Sequence, residues 1–225
     1  MGKIICDHNS LYYKGRQRHL NAGDEHNGAY YYSKEIVENI IPLVKTDRPW
    51  ITINNYGNRC QNRAIVFIHN NKDIKPSYMW LYRYKNIIGV CGVQKTADIM
   101  QKWMPHNTFI YLPLSIDTEE VAKHKHKKTK EVAYVGRKAK MAWGDIPEGC
   151  DVISGMPRNE LLDEMSKYKK VYAVGRCAIE AKALGCEILP YDPRYPDPNI
   201  WEVVDNKKAA EILQQKIDEI DRISS

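Results

Sequence analysis

Glu180 lies between Ile179 and Ala181 in the stretch Ala178-Ile-Glu-Ala-Lys-Ala-Leu-Gly185, where neighbours that are small or apolar argue against a plain solvent-facing side. A carboxylate near the N-terminus of a helix that follows a strand can accept two ribose hydroxyls, which is a common way to hold a nucleotide. The same stretch opens on Gly175 and Arg176. Upstream, Val132–Lys140 reads VAYVGRKAK and sets Gly136 directly after an apolar run, with Arg137, Lys138 and Lys140 in the loop beyond it. Glycine lets a diphosphate approach the backbone, a guanidinium grips phosphate oxygens with two parallel N–H groups, and lysine adds a point charge. Between the two lies a tight loop, Ser154-Gly155-Met156-Pro157, that opens another helical stretch.

Three successive strand ends of this kind, brought to one sheet edge, would offer phosphate-binding groups (Gly136, Arg137, Lys138, Lys140), base-binding groups (Ser154, Met156, Pro157) and ribose-binding groups (Gly175, Arg176, Glu180). The plainer readings are a solvated basic loop after Gly136 and a solvated helix glutamate pairing with Lys182 or a neighbour. A dinucleotide-binding protein is a third reading that the residues favour less, because the first apolar run is followed by DHNSLYYKG and lacks the G-x-G-x-x-G spacing. The six cysteines form no C-x-x-C pair and read as free thiols, with no metal site expected.

The elements that must position these groups alternate between strand and helix, which implies parallel sheets with right-handed crossovers. In the first half, strands are predicted at Lys3–Cys6, Trp50–Asn54, Arg63–His69, Asn86–Gly92 and Thr108–Leu112, and helices over Gly28–Lys45, Tyr78–Lys85 and Gln94–Met104. Pro42 should end or kink the first helix near Ile41. Residues 117–130, DTEEVAKHKHKKTK, are charged with little apolar periodicity and read as a linker. Beyond it strands are predicted at Glu131–Val135, Asp151–Ser154, Lys170–Val174 and Glu187–Pro190, an edge strand at Trp201–Val204, and helices over Pro157–Lys169 and Ala178–Leu184. The closing helix Lys207–Ile223 carries Ala210, Ile212, Leu213, Ile217 and Ile220 on one stripe. The expected organisation is therefore an α/β protein with domains at 1–116 and 131–205, a basic linker at 117–130 and a C-terminal helix at 206–225.

The net charge of +6 is local: residues 121–140 hold eight Lys/Arg against Glu131 and carry +7, leaving −1 on the remainder. This window, with Arg16, Arg18 and His19 beside Tyr12 and Tyr13 in the 12–19 loop, could track a nucleic-acid backbone; the plainer reading is a soluble interdomain connection. No apolar run reaches the roughly 20 residues of a membrane span, and a cytoplasmic protein is expected.

The run strand-Gly136-Arg137 with nearby lysines, then Pro157-x-x-Glu160-Leu-Leu, then a strand, a short loop and Ala178-Ile-Glu-Ala-x-Ala-Leu-Gly-Cys186, resembles the donor-binding domain of GT-B-fold glycosyltransferases, especially the retaining ones. The turn Leu114-Ser-Ile-Asp117 is similar to the way those enzymes leave their N-terminal domain. The resemblance covers 86–192 and implies two small Rossmann-like domains facing each other across a cleft, with a nucleoside-diphosphate sugar, a UDP-sugar for preference, as co-substrate. It implies no other cofactor. Arg137 would stabilise the diphosphate leaving group. Where a side chain must deprotonate the acceptor hydroxyl, Asp24, Glu25, His26 or His69 could serve, although His69 also suits a structural role and Asp24 a helix cap. Three departures stand out: Tyr172 occupies the position, eight before Glu180, where the family carries a second glutamate; the loop after it is short; and Lys138 and Lys140 lie closer to Arg137 than the family's lysine. A compact enzyme with a basic surface is similar to phage enzymes that glucosylate hydroxymethylated DNA bases, which would place it in a host cytoplasm. A non-catalytic nucleotide- or nucleic-acid-binding module of the same fold is the alternative.

Overall fold

The computed structural model describes residues 2–6, 28–52, 60–68, 78–136 and 145–224, and the chain divides into two compact units. The first contains residues 28–113 and 207–225 with the strand near the N-terminus; the second contains 114–206.

The first unit is built on a parallel sheet of β1 (Ile4–Cys6), β2 (Trp50–Ile51), β3 (Ile65–Ile68), β4 (Ile88–Cys91) and β5 (Thr108–Tyr111), in that spatial order. Every residue of β3 and β4 is buried, as continuous apolar runs predict for strands covered on both faces. The first helix, α1 (Gly28–Glu35), passes into a π turn at Ile36–Ile40 and a 3-10 turn at Ile41–Leu43 that contains Pro42. The helix expected to run to Lys45 is therefore broken earlier than proline alone requires. In the helix expected over Tyr78–Lys85, Tyr78 is α-helical and Met79–Arg83 form a 3-10 turn. Helix α2 spans Gln94–Trp103, and Met100 and Ala97 join the core formed with Val66, Tyr78, Leu81 and Ile87.

In the second unit, β7 (Lys130–Val135), β8 (Asp151–Ile153), β9 (Tyr168–Tyr172) and β10 (Glu187–Leu189) form a parallel sheet in the order β10-β9-β7-β8. β6 (Ser115–Ile116) pairs in parallel with β11 (Val204–Asp205) in a separate ribbon, so the stretch expected as an edge strand does not join the four-stranded sheet.

Residues 117–130 are not a free linker. Asp117 caps a short helix, α3 (Thr118–Ala122), by accepting from the Glu120 amide at 2.8 Å, and the Asp205 carboxylate accepts from the Thr118 hydroxyl at 2.9 Å. Lys128 donates to the Leu184 carbonyl at 3.0 Å, and Lys130 already belongs to β7. These contacts are local polar caps and pairings, which a search for apolar periodicity passes over. The boundary accordingly falls between Pro113 and Leu114.

The last helix, α6 (Asn206–Ser224), groups with the first unit from Lys207 onward. Ala209, Ala210, Leu213 and Ile217 are its buried apolar side chains. Arg48, 3% exposed, donates from Nε and Nη2 to Asp221 at 3.1 and 2.5 Å, and from Nη1 to the carbonyls of Arg63 and Asn86 at 3.2 and 2.8 Å.

Candidate functional site

The strand order of the second unit decides where a ligand would sit. From β7 the chain crosses to β8 on one side and then returns to β9 on the other, so the order reverses between β7 and β9. Open α/β sheets bind ligands outside the carboxyl ends of the strands at such a reversal. The five described strands of the first unit run in sequence with no reversal, so among the described residues the crevice typical of a Rossmann-like sheet occurs in the second unit alone.

Two helices begin at that edge. After β8, Ser154–Pro157 lead into α4 (Arg158–Met165), with Pro157 as its N-cap residue. After β9, Gly175 leads into α5 (Arg176–Ala183). Gly175 has φ 60° and ψ −134°, a conformation that a residue with a Cβ rarely adopts. The loop can therefore be short, and Arg176 falls in the first turn of the helix.

The side chains converge on Glu180, which is 2% exposed. Its Oε1 accepts from Arg158 Nε at 3.2 Å and Nη2 at 2.9 Å, and from Arg176 Nε at 2.7 Å. One guanidinium comes from the first residue of α4, after β8, and the other from the first residue of α5, after β9, so the carboxylate fastens the two helix starts together. The cluster carries one negative and two positive charges, and Arg158 remains 19% exposed at its side chain. A buried carboxylate between two guanidiniums is suited to a ligand that offers both anionic groups and hydroxyls. Beside it, burial and the Glu180 carboxylate push the Cys177 thiol up to about 12, which removes it as a thiolate nucleophile.

The β7 end is equally constrained. A Cβ at Gly136 would lie 2.8 Å from the Tyr134 hydroxyl. Tyr134 is 1% exposed and meets Tyr191 edge-on with ring centroids 5.2 Å apart. Burial and the paired Tyr134 hydroxyl raise the Tyr191 phenol well above its usual range. Gly136→Ala should therefore displace Tyr134 and destabilise the second unit by about 1–3 kcal/mol; a urea midpoint unchanged from the parent would show that the tyrosine yields without cost. At the β10 end, Asp192 is 1% exposed and receives a two-pronged grip from Arg194, whose Nε lies 2.9 Å from Oδ1 and whose Nη2 reaches Oδ2.

Of the residues expected to bind a nucleotide, Gly136, Ser154, Met156, Pro157, Gly175, Arg176 and Glu180 stand at the carboxyl ends of β7, β8 and β9, and Arg176 and Glu180 are in direct contact. Arg137, Lys138 and Lys140 lie outside the described residues, as do His69, Asp24 and the 12–19 loop. Glu180 does pair with a helix neighbour, Arg176, but it is buried rather than solvated, and Lys182 instead donates to the Trp201 carbonyl at 3.1 Å. Sequence reasoning misses Arg158. Its only signal is its place directly after Pro157 at a helix start, the position from which a long side chain can reach back over the sheet edge.

Tyr172 is the last residue of β9 and pairs in register with Tyr134. Cys60, Cys91, Cys150, Cys177 and Cys186 are free thiols. Among the described residues, no group of three or more His, Cys, Asp or Glu side chains is arranged to hold a metal ion, and no helix is long and apolar enough to cross a membrane. No family model matches the chain, and no curated protein or solved structure does so.

Proposed function

We propose that the chain is a glycosyltransferase that binds a nucleoside-diphosphate sugar, a UDP-sugar for preference, at the carboxyl ends of β7, β8 and β9 and passes the sugar to an acceptor hydroxyl. The observation that carries this reading is the buried Glu180 held between Arg158 and Arg176 beside the order reversal of the sheet. The three described bonds from Arg158 and Arg176 fall on Oε1, and Oε2 would take the ribose hydroxyls. The second guanidinium supplies positive charge where a diphosphate leaving group would develop negative charge. Arg137, Lys138 and Lys140 would add to it from the loop after Gly136, and Ser154, Met156 and Pro157 would border the base. The GT-B arrangement of the two units belongs to the same proposal, as do His69 and Asp24 as candidate bases.

The acceptor class in this proposal is a hydroxyl on a hydroxymethylated DNA base. The 121–130 window is a reduced platform for it, since Lys123 pairs with Glu120, Lys130 with Glu164, and Lys128 caps the end of α5. Exposed Lys125 and Lys127 remain available there.

Thermal unfolding in the presence of UDP, GDP, ADP and their sugars tests the donor site. One nucleotide class should stabilise the protein by about 2.7 kcal/mol at a hundred times its dissociation constant, whereas the others should not. A panel without any stabiliser would sink the donor reading. A second reading, a non-catalytic nucleotide-binding module, is favoured by Tyr172 at the position of the family's second glutamate. It predicts stabilisation without donor hydrolysis or sugar transfer by mass spectrometry, so any turnover would discard it.

A further inference from the structure

The first unit carries an aromatic ledge that the donor reading does not use. Tyr82 is 48% exposed, yet its hydroxyl donates to the Trp103 carbonyl at 2.7 Å and its ring meets the edge of Trp103 at 5.2 Å. Trp103 packs against the buried core, so Tyr82 is a fixed ring on a fixed base. His106 extends the same surface, 5.5 Å from the Tyr82 ring and tilted by 32°. Met79, 62% exposed, stands out from the same 3-10 turn as Tyr82.

The charge along this stretch of chain is mostly of one sign. Arg83 follows Tyr82 in sequence, Lys102 precedes Trp103, and Lys85 lies just beyond; all three are exposed. From 78 to 108 the chain has four Lys/Arg and a single acidic residue, Asp98, whose carboxylate accepts from the Gln94 side chain at 2.7 Å. Immobile exposed aromatic rings beside unopposed cations are the combination that holds single-stranded nucleic acid: bases stack on the rings with little loss of side-chain entropy, and phosphates follow the cations. An acidic peptide would satisfy the cations but would leave the ring faces in water.

We propose that the ledge of Tyr82, His106 and Met79, with Arg83, Lys85 and Lys102 around it, binds single-stranded nucleic acid by base stacking and phosphate contact. This stands apart from the donor reading, because a chain that binds no nucleotide sugar can still bind a strand here.

Fluorescence anisotropy of the full chain with a short labelled oligothymidylate tests it, with an oligouridylate, a duplex and polyglutamate of matched length as comparators. Single strands of either sugar should bind more tightly than the duplex or polyglutamate. Tyr82→Ala should weaken binding about tenfold, as loss of one stacked base does. The pair Arg83→Glu and Lys102→Glu, both exposed and outside the core, should lower the slope of log K against log salt by about 1.4 in magnitude, at roughly 0.7 for each phosphate contact. Charge reversal at Lys125 and Lys127 should leave the Tyr82 effect in place. Absence of single-strand binding, binding of polyglutamate or duplex as tight as of the single strand, or Tyr82 and Arg83/Lys102 variants indistinguishable from the parent would each overturn the proposal. Nucleotide-induced stabilisation, measured on the same preparations, is independent of all these outcomes.

Discussion

Glu180→Ala should lower the stability of the second unit by about 3 kcal/mol, because it leaves two largely buried guanidiniums without their shared carboxylate. The cost arises from the arginines rather than from the lost glutamate. A buried ion cluster contributes little net stability over well-packed apolar groups, whereas removal of one partner strands the others. The triple replacement Arg158→Met, Glu180→Leu, Arg176→Met should therefore recover most of the loss in a urea titration, yet under the proposed donor reading it should abolish stabilisation by nucleotide. The two variants together separate holding the fold from holding a ligand. If Glu180→Ala unfolds within about 0.5 kcal/mol of the parent, as a surface substitution would, the cluster is not holding the helix starts together. If the triple variant still responds to nucleotide, the site lies elsewhere.

Arg48→Met should cost the first unit about 3 kcal/mol. The substitution keeps the apolar stem but removes the partner of Asp221 and the donor to two backbone carbonyls, those of Arg63 and Asn86. Both of those residues have positive φ, at 63° and 59°, so Arg48 fastens two left-handed turns and α6 with one guanidinium. The helix should loosen rather than detach, since burying Leu213 and Ile217 still contributes about 2 kcal/mol for each side chain. Hydrogen exchange would report this as faster exchange in α6 and around Asn86, with β7 and β9 unaffected. Uniform acceleration throughout the chain would contradict a local fastening role.

Parts of this fold can be read directly from residue order. The runs Ile65–Ile68 and Ile88–Cys91 are apolar throughout because both faces are covered, and Gly175 marks a turn because its backbone angles suit no other residue. The stripe on α6 likewise appears in its spacing, but spacing gives a face and not a partner. Nothing in it says that the helix groups with the first unit, a choice made by Arg48 and Asp221, 173 residues apart. The same limit applies to the site. Glu180 stands out because its sequence neighbours are apolar, whereas Arg158 sits among Asn159, Glu160 and Asp163 and looks like an exposed helix start. Its contact with Glu180 depends on β8 and β9 flanking β7, and strand order leaves no trace in local composition. The polar contacts of 117–130 are hidden for a related reason, because capping and single hydrogen bonds have no period.

The grouping of α6 with the first unit also fixes an order of events during synthesis. Residues 114–206 are continuous and can complete their sheet as soon as they leave the ribosome. The first unit, although its strands emerge earlier, must wait for the last 19-residue helix before Arg48 finds Asp221 and Leu213 and Ile217 find cover. The N-terminal unit is thus the later one to mature, and a nascent chain stalled before Asn206 would present a finished second unit joined to an unfinished first one.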